Sequence, residues 1–116
     1  MNAHRSLQRL DVLRYPVDQI ALMIASEFLR AGSRAQYPQI VEGCFHRARE
    51  LMGILETIEL HPAVACDLRP YYEKCSEREL FVSNRITSPD HVRLLSQDLA
   101  EAFESASEKL KGNALA

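Results

Sequence analysis

Cysteine, histidine and carboxylate side chains are the first groups to test for chemistry, because metal sites and nucleophilic centres need them at defined spacings. Cys44, Cys66 and Cys75 are odd in number and contain no Cys-x-x-Cys pair. No glutamate has a histidine three residues later, as a di-iron bundle would require. Cys44 and His46 would point about 200° apart on a helix and cannot share an ion. We therefore expect these residues to be core or surface side chains, with no metal and no cofactor.

The sequence also lacks the short motifs of common catalysts. It contains no glycine-rich phosphate loop and no nucleophile elbow. The carboxylates of Glu56 and Glu59 are close in sequence, but their positions are typical of a solvated helix face. We expect a protein without catalytic activity.

The elements that position these residues follow from the spacing of apolar residues. The stretch from Pro38 to Leu60 has apolar residues every three or four positions, which predicts a helix with one buried stripe. Charged residues fill the other face of this helix and should be solvated: Glu42, Arg47, Arg49, Glu50, Glu56 and Glu59. Gly43 and Gly53 interrupt it and indicate the close approach of a neighbouring helix.

Three further helices are predicted around the central one. The first runs from Pro16 to Ser33, and its inward stripe is Ile20, Met23, Ile24, Phe28 and Ala31. The next covers residues 63–84 and either kinks or begins near Pro70, because proline disrupts a helix interior. In the last helix, from Ser88 to Lys111, Ser88-Pro89-Asp90 is a strong start signal.

These elements predict an all-α, antiparallel four-helix bundle in a single domain of 116 residues. Residues 1–15 would form an N-terminal cap containing a short helix, residues 16–111 the bundle and residues 112–116 a tail. The net charge of −2 gives no electrostatic reason to expect nucleic acid. No apolar run approaches the roughly 20 residues of a membrane span. The N-terminus has no signal-peptide pattern, so we expect a cytoplasmic protein.

Residues 46–51, His-Arg-Ala-Arg-Glu-Leu, resemble the phosphorylated segment of histidine phosphotransfer domains, which are also helical bundles. The resemblance implies an exposed His46 that accepts a phosphoryl group, with Arg49 as the basic residue three positions later. Glu50 stands where that family has glycine, and its charge would repel a phosphoryl group. Transfer through His46 is one alternative function, and a structural bundle that self-associates through a symmetric apolar patch is another.

The order of helices and loops over residues 16–105 resembles the flagellar secretion chaperones of the FliS family. Four stretches carry the resemblance: Pro16 to Ile24, Arg47 to Leu55, Ala65 to Glu73, and Ser88 to Phe103. In the third stretch, Leu68 and Tyr72 match the Leu-x-x-Leu-Tyr segment of the family. Ile24-Ala25 replaces its usual Tyr-Asp pair.

The resemblance implies an export chaperone that holds the disordered C-terminal segment of flagellin, or of a similar secreted protein, in apolar grooves between helices. Such binding prevents premature assembly of the client. The client-binding residues would be drawn from Ile20, Ile24, Phe28, Tyr71 and Tyr72. A homodimer is possible on the same interpretation.

Overall fold

The computed structural model describes residues 12–58, 60, 62–76 and 88–111. It contains four helices: α1 (Val17–Ser33), α2 (Pro38–Glu56), α3 (Pro62–Ser76) and α4 (Pro89–Leu110). The prediction of an all-α helical bundle is confirmed. Residues 1–11 of the predicted cap and the predicted tail lie outside the described residues. Of the cap, Val12 and Leu13 are helical, and Val12 is buried against the core.

Proline and serine define where the helices begin. The helices α2, α3 and α4 begin at Pro38, Pro62 and Pro89. Proline suits this position because the N–H that it lacks would have no hydrogen-bond partner within the helix. The side-chain oxygen of Ser88 accepts a hydrogen bond of 3.1 Å from the backbone N–H of His91. Asp90 lies in the first turn of α4, at the positive end of the helix dipole. The predicted start of α4 is therefore confirmed.

The central helix α2 ends at Glu56, four residues before the predicted end at Leu60. The side-chain hydroxyl of Thr57 donates to the carbonyl oxygen of Ile54 at 2.6 Å. The backbone N–H groups of Thr57 and Ile58 bond to the carbonyl oxygens of Ile54 and Leu55. These bonds span three residues instead of four, so they tighten the last turn and end the helix.

Pro70 lies inside α3, which begins at Pro62, so the alternative in which the helix begins near Pro70 is wrong. Pro70 has no N–H to donate to the carbonyl oxygen of Cys66, four residues earlier. The Cys66 side chain is exposed, so water can reach this part of the helix. Residues 77–84 of the predicted helix lie outside the described residues.

Contacts at both ends show that α1 and α4 are antiparallel. The hydroxyl of Ser107, near the end of α4, donates to the carbonyl oxygen of Asp18 at the start of α1, at 2.9 Å. At the opposite end, a Cβ on Gly32 would lie 3.4 Å from the Cβ of Ser96. Small residues at such contacts let two helix backbones approach closely.

Aromatic rings connect the other helices to this pair. Phe28 of α1 meets Phe45 of α2 edge to face, with ring centroids 5.3 Å apart. Phe103 of α4 lies 6.2 Å from Phe28, and Tyr72 of α3 meets Phe103 edge to face at 6.1 Å. The core therefore runs from α2 through α1 and α4 to α3.

One predicted surface residue of α2 is instead part of a helix contact. Arg47 donates from Nε to the Glu27 carboxylate of α1 at 3.1 Å, and the two side chains are 24% and 15% exposed. Partial burial by itself lowers the pKa of Arg47, but its hydrogen bond and attraction to Glu27 outweigh this and raise the pKa. Arg47 therefore stays charged, and its hydrogen bond to Glu27 links α1 to α2. The prediction of a solvated Arg47 is wrong because sequence spacing does not show the carboxylate on the neighbouring helix.

Candidate binding cleft

Three of the five predicted client-binding residues belong to the core. Ile20, Ile24 and Phe28 are 0% exposed. Phe28 lies beneath a pocket between α1 and α4, but its side chain has no accessible surface. All three are taken up by the core and do not line a groove, because α1 is the helix that α2 and α4 both cover. Ile24 in particular is a core residue.

The two predicted tyrosines lie on different surfaces of α3. Adjacent residues on a helix point about 100° apart. Tyr71 lines a pocket between α3 and α4, together with acidic side chains and Lys109. Tyr72 lines a larger cavity between α2 and α3. Both side chains are partly buried against the core. The structure therefore does not bring the five predicted residues together.

The larger cavity has a volume of about 550 Å³, and we call it the α2–α3 cleft. A cavity of this size is within the range of pockets that bind ligands in proteins. It is lined by Arg49, Met52, Gly53, Glu56, Leu60, Ala65, Leu68, Arg69, Tyr72, Glu73 and Cys75. Met52, Leu68 and Cys75 are buried and form its apolar floor, whereas Glu56, Arg69 and Glu73 are exposed at its rim.

Gly53 lies on the α2 side of the cleft, next to open space. A Cβ added at Gly53 would have no atom within 4 Å, and the residue is exposed. The prediction that Gly53 permits close approach of a helix is therefore wrong. The residue instead leaves space between α2 and α3, at a cost of about 1 kcal/mol of helix propensity relative to alanine.

Charges of both signs surround the cleft and balance. Two arginines, Arg49 and Arg69, oppose two glutamates, Glu56 and Glu73. Their formal charges sum to zero, so the cleft has no overall preference for an anion or a cation. The local arrangement still matters, because Glu56 is near enough to Tyr72 for its charge to affect that side chain.

Tyr72 carries the most unusual polar atom of the cleft. Its hydroxyl oxygen is buried and has no hydrogen-bond partner among the described residues. Burial raises the pKa of Tyr72 well above its ordinary value, and the electrostatic influence of Glu56, and then of Cys75, acts in the same direction. The hydroxyl therefore remains protonated at neutral pH and can donate a hydrogen bond. A buried hydroxyl without a partner is destabilising by about 1–3 kcal/mol.

His46 is on the surface of α2, where its side chain is 51% exposed. Its Nε2 lies 2.8 Å from the Glu50 carboxylate, one helical turn later. A phosphoryl group on that nitrogen would be repelled by the carboxylate. The geometry therefore disfavours phosphate transfer through Nε2, for the reason that the sequence suggests.

The cysteines do not form a reactive group. Cys44 and Cys75 are buried in the core, and Cys66 is exposed on the surface. Burial, and then the charge of Glu27, raise the pKa of the Cys44 thiol, although Arg47 acts in the opposite direction. A protonated thiol is a poor nucleophile. Within the described residues, no group of histidine, cysteine and carboxylate side chains has the arrangement to hold a metal ion.

No protein-family model, curated protein or solved structure matches this chain. Over the part of the chain that the structure describes, no helix is long and apolar enough to cross a bilayer.

The cleft residues of α2 were missed by sequence reasoning because periodicity assigns exposed polar positions to solvent without regard to neighbouring helices. Glu56 is exposed, as the solvated-face interpretation predicts, yet it borders a cavity. Glu59 lies outside the described residues. The one sequence feature that could have indicated the cleft was Gly53, because a glycine within a helix leaves the helix surface without a side chain at that position.

Proposed function

We propose that this protein is a non-catalytic chaperone or adaptor that binds a segment of a protein client in the α2–α3 cleft. The observation that carries the proposal is the cleft itself, in which an apolar floor and a charged rim enclose a volume of about 550 Å³. The client would be the C-terminal segment of flagellin or of a similar secreted protein, as the resemblance to flagellar secretion chaperones implies.

An amphipathic helix is the form of client segment that suits this cleft. Arg49 and Glu56 are two helical turns apart, so the α2 wall is about 10 Å long. Two turns of a client helix present apolar side chains at positions i, i+3, i+4 and i+7 on one face. Such a segment is disordered when free and would bury these side chains on Met52 and Leu68. Binding in the cytoplasm would keep the segment from assembling before export.

Calorimetry with the flagellin C-terminal segment encoded in the same genome tests this proposal. We expect binding with one-to-one stoichiometry and a negative change in heat capacity, because apolar surface is buried. The absence of heat, with a protein that melts cooperatively, would contradict a flagellin client.

Variants at Gly53 test whether the client binds in the cleft. Gly53→Leu places a side chain at the α2 wall and is expected to weaken binding at least about tenfold. Gly53→Ala is the matched control, because it adds one methyl group and stabilises the helix. Equal affinities for wild type and Gly53→Leu would place the client elsewhere. Ile24→Asp is unsuitable for this purpose, since a charge at a fully buried position would unfold the protein.

Phosphate transfer and self-association are the rival functions. For the first, we expect no stable phosphohistidine with acetyl phosphate, because Glu50 lies 2.8 Å from His46 Nε2. Transfer that is lost in His46→Gln would favour phosphotransfer over the chaperone proposal. For the second, a dimer of wild type that dissociates when client is added would show that self-association and client binding use the same surface.

A further inference from the structure

The pocket between α1 and α4 is a separate surface from the α2–α3 cleft, and we call it the α1–α4 pocket. Its volume is about 400 Å³. Leu29, Gly32 and Ser33 of α1 form one side of its opening, and polar side chains of α4 form the other. Among the described residues, none lines both this pocket and the cleft. A partner in the α1–α4 pocket would therefore leave the cleft accessible.

Leu29 is a large apolar side chain that the single chain leaves in solvent beside this pocket. It is 52% exposed, although the neighbouring Phe28 is fully buried. Gly32, about one turn later on α1, is partly exposed and has no side chain, so a projection stands next to a depression. Such a surface can pack against a copy of itself, because a two-fold axis places each Leu29 on the partner's Gly32.

The α4 side of the pocket carries its charges in a self-complementary order. Arg93 is nearest the start of α4, Gln97 follows one turn later, and Glu101 and Glu104 come last. Arg93 and Glu101 are about 12 Å apart along the helix axis. A two-fold axis near Gln97 reverses this order in the partner, so each arginine would face glutamates of the other copy.

The existing contacts of these side chains do not prevent such pairing. Arg93 donates to Asp90 at 2.8 Å, but its side chain is 52% exposed and this bond uses one of its five N–H donors. Glu101 accepts from Gln97 at 3.1 Å, also at the exposed surface. Exposed contacts of this kind are weak in water, so the side chains can be shared with a partner or rearranged.

We propose that two copies of this chain form a two-fold symmetric dimer by joining their α1–α4 pockets. Leu29 and Gly32 would form the apolar centre of the interface, and Arg93 would pair with Glu101 and Glu104 of the other copy at its rim. A foreign segment could also cover Leu29, but it would need the same charge order, which a second copy already carries. The proposal is independent of the client, and each copy in the dimer would keep its α2–α3 cleft open.

Sedimentation equilibrium of the full chain at concentrations up to about 1 mM tests the apolar centre. We expect a dimer, and Leu29→Glu should raise its dissociation constant at least about hundredfold, because a carboxylate is forced into the middle of the interface. Leu94→Glu is the matched control, since Leu94 is 70% exposed but does not line the pocket. It should change the dissociation constant less than about threefold. A wild type that stays monomeric, or an equal loss in both variants, would overturn the proposal.

Charge reversal tests the symmetry of the interface. Arg93→Glu and the double variant Glu101→Arg/Glu104→Arg should each weaken the dimer at least about tenfold, because like charges then face each other at both ends. In an equal mixture of the two, every facing pair is opposite in sign, so the mixture should regain a heterodimer of about wild-type affinity. Thermal melts verify that each variant folds. A mixture of folded variants that stays monomeric would overturn this dimer and leave the proposed client cleft unaffected.

Discussion

Helix packing differs between two regions of this protein. The first region is the contact between α1 and α4, and the second is α3. Along α1 and α4, small residues such as Ala21, Ala25 and Ala100 are buried and let the backbones approach closely. On α3, the buried apolar side chains are few, namely Val64, Leu68 and Cys75. The partly buried Tyr71 and Tyr72 complete its inner face. The cleft lies beside the helix that buries less. The most closely packed helices and the cleft are thus located in different parts of the bundle.

The largest expected difference between these regions comes from aliphatic truncations. Ile24→Ala should lower the free energy of unfolding by about 4 kcal/mol, because Ile24 is enclosed on all sides. Leu68→Ala removes a side chain of similar size but should cost only about 2 kcal/mol, since Leu68 borders the cleft and the α3–α4 pocket. Urea denaturation followed by circular dichroism measures both values. Equal losses would show that α3 is packed as tightly as α1.

Ion pairs allow a second comparison of the same regions. Glu27→Gln should cost about 2 kcal/mol, because the change leaves the half-buried Arg47 without its countercharge. Asp67→Asn removes the partner of Lys109, at 2.9 Å between α3 and α4, but these two side chains are more than half exposed. We expect a loss of at most about 1 kcal/mol there. Denaturation at low and high salt checks the assignment, since only the exposed pair should be strongly screened.

Glycine substitutions should stabilise the two regions unequally. Gly53→Ala is expected to raise the free energy of unfolding by about 1 kcal/mol, because the new methyl group meets no atom. Gly32→Ala should gain less, since its methyl group would lie 3.4 Å from Ser96 at the α1–α4 contact. Thermal melting of both variants tests this order. A larger gain at Gly32 would contradict the close packing of α1 against α4.

The smallest expected effect is a difference in pH dependence at the cleft. The folded protein raises the pKa of Tyr72 above its unfolded value of about 10. The stability linked to this proton is therefore fully present below pH 10 and is lost as the pH rises further. Tyr72→Phe removes that loss, so its melting temperature should fall less steeply than that of wild type above about pH 10. Cys44 is present in both proteins and cancels in the difference, and parallel profiles would contradict the buried hydroxyl.

Sequence alone determined the helical class and most helix starts. The serine, proline and aspartate at 88–90 begin α4 through local hydrogen bonding, and the stripe containing Ile20, Ile24 and Phe28 had to be covered by other helices. Both results depend on interactions within one helix or on the periodicity of apolar residues. These features are properties of the chain itself.

Tertiary structure decided which residues face the cleft. The family resemblance already named Tyr72, but the contact of its ring with Phe103 on another helix is set by the fold. Gly53 became a candidate only through the absence of neighbouring atoms. The Arg47–Glu27 pair likewise joins residues 20 positions apart on two helices. A periodic pattern shows which face of a helix is apolar, but it does not contain the distance to the next helix. The sequence therefore predicted the apolar stripes, and the distances between helices decided which part of them lies in the interior and which part borders the cleft.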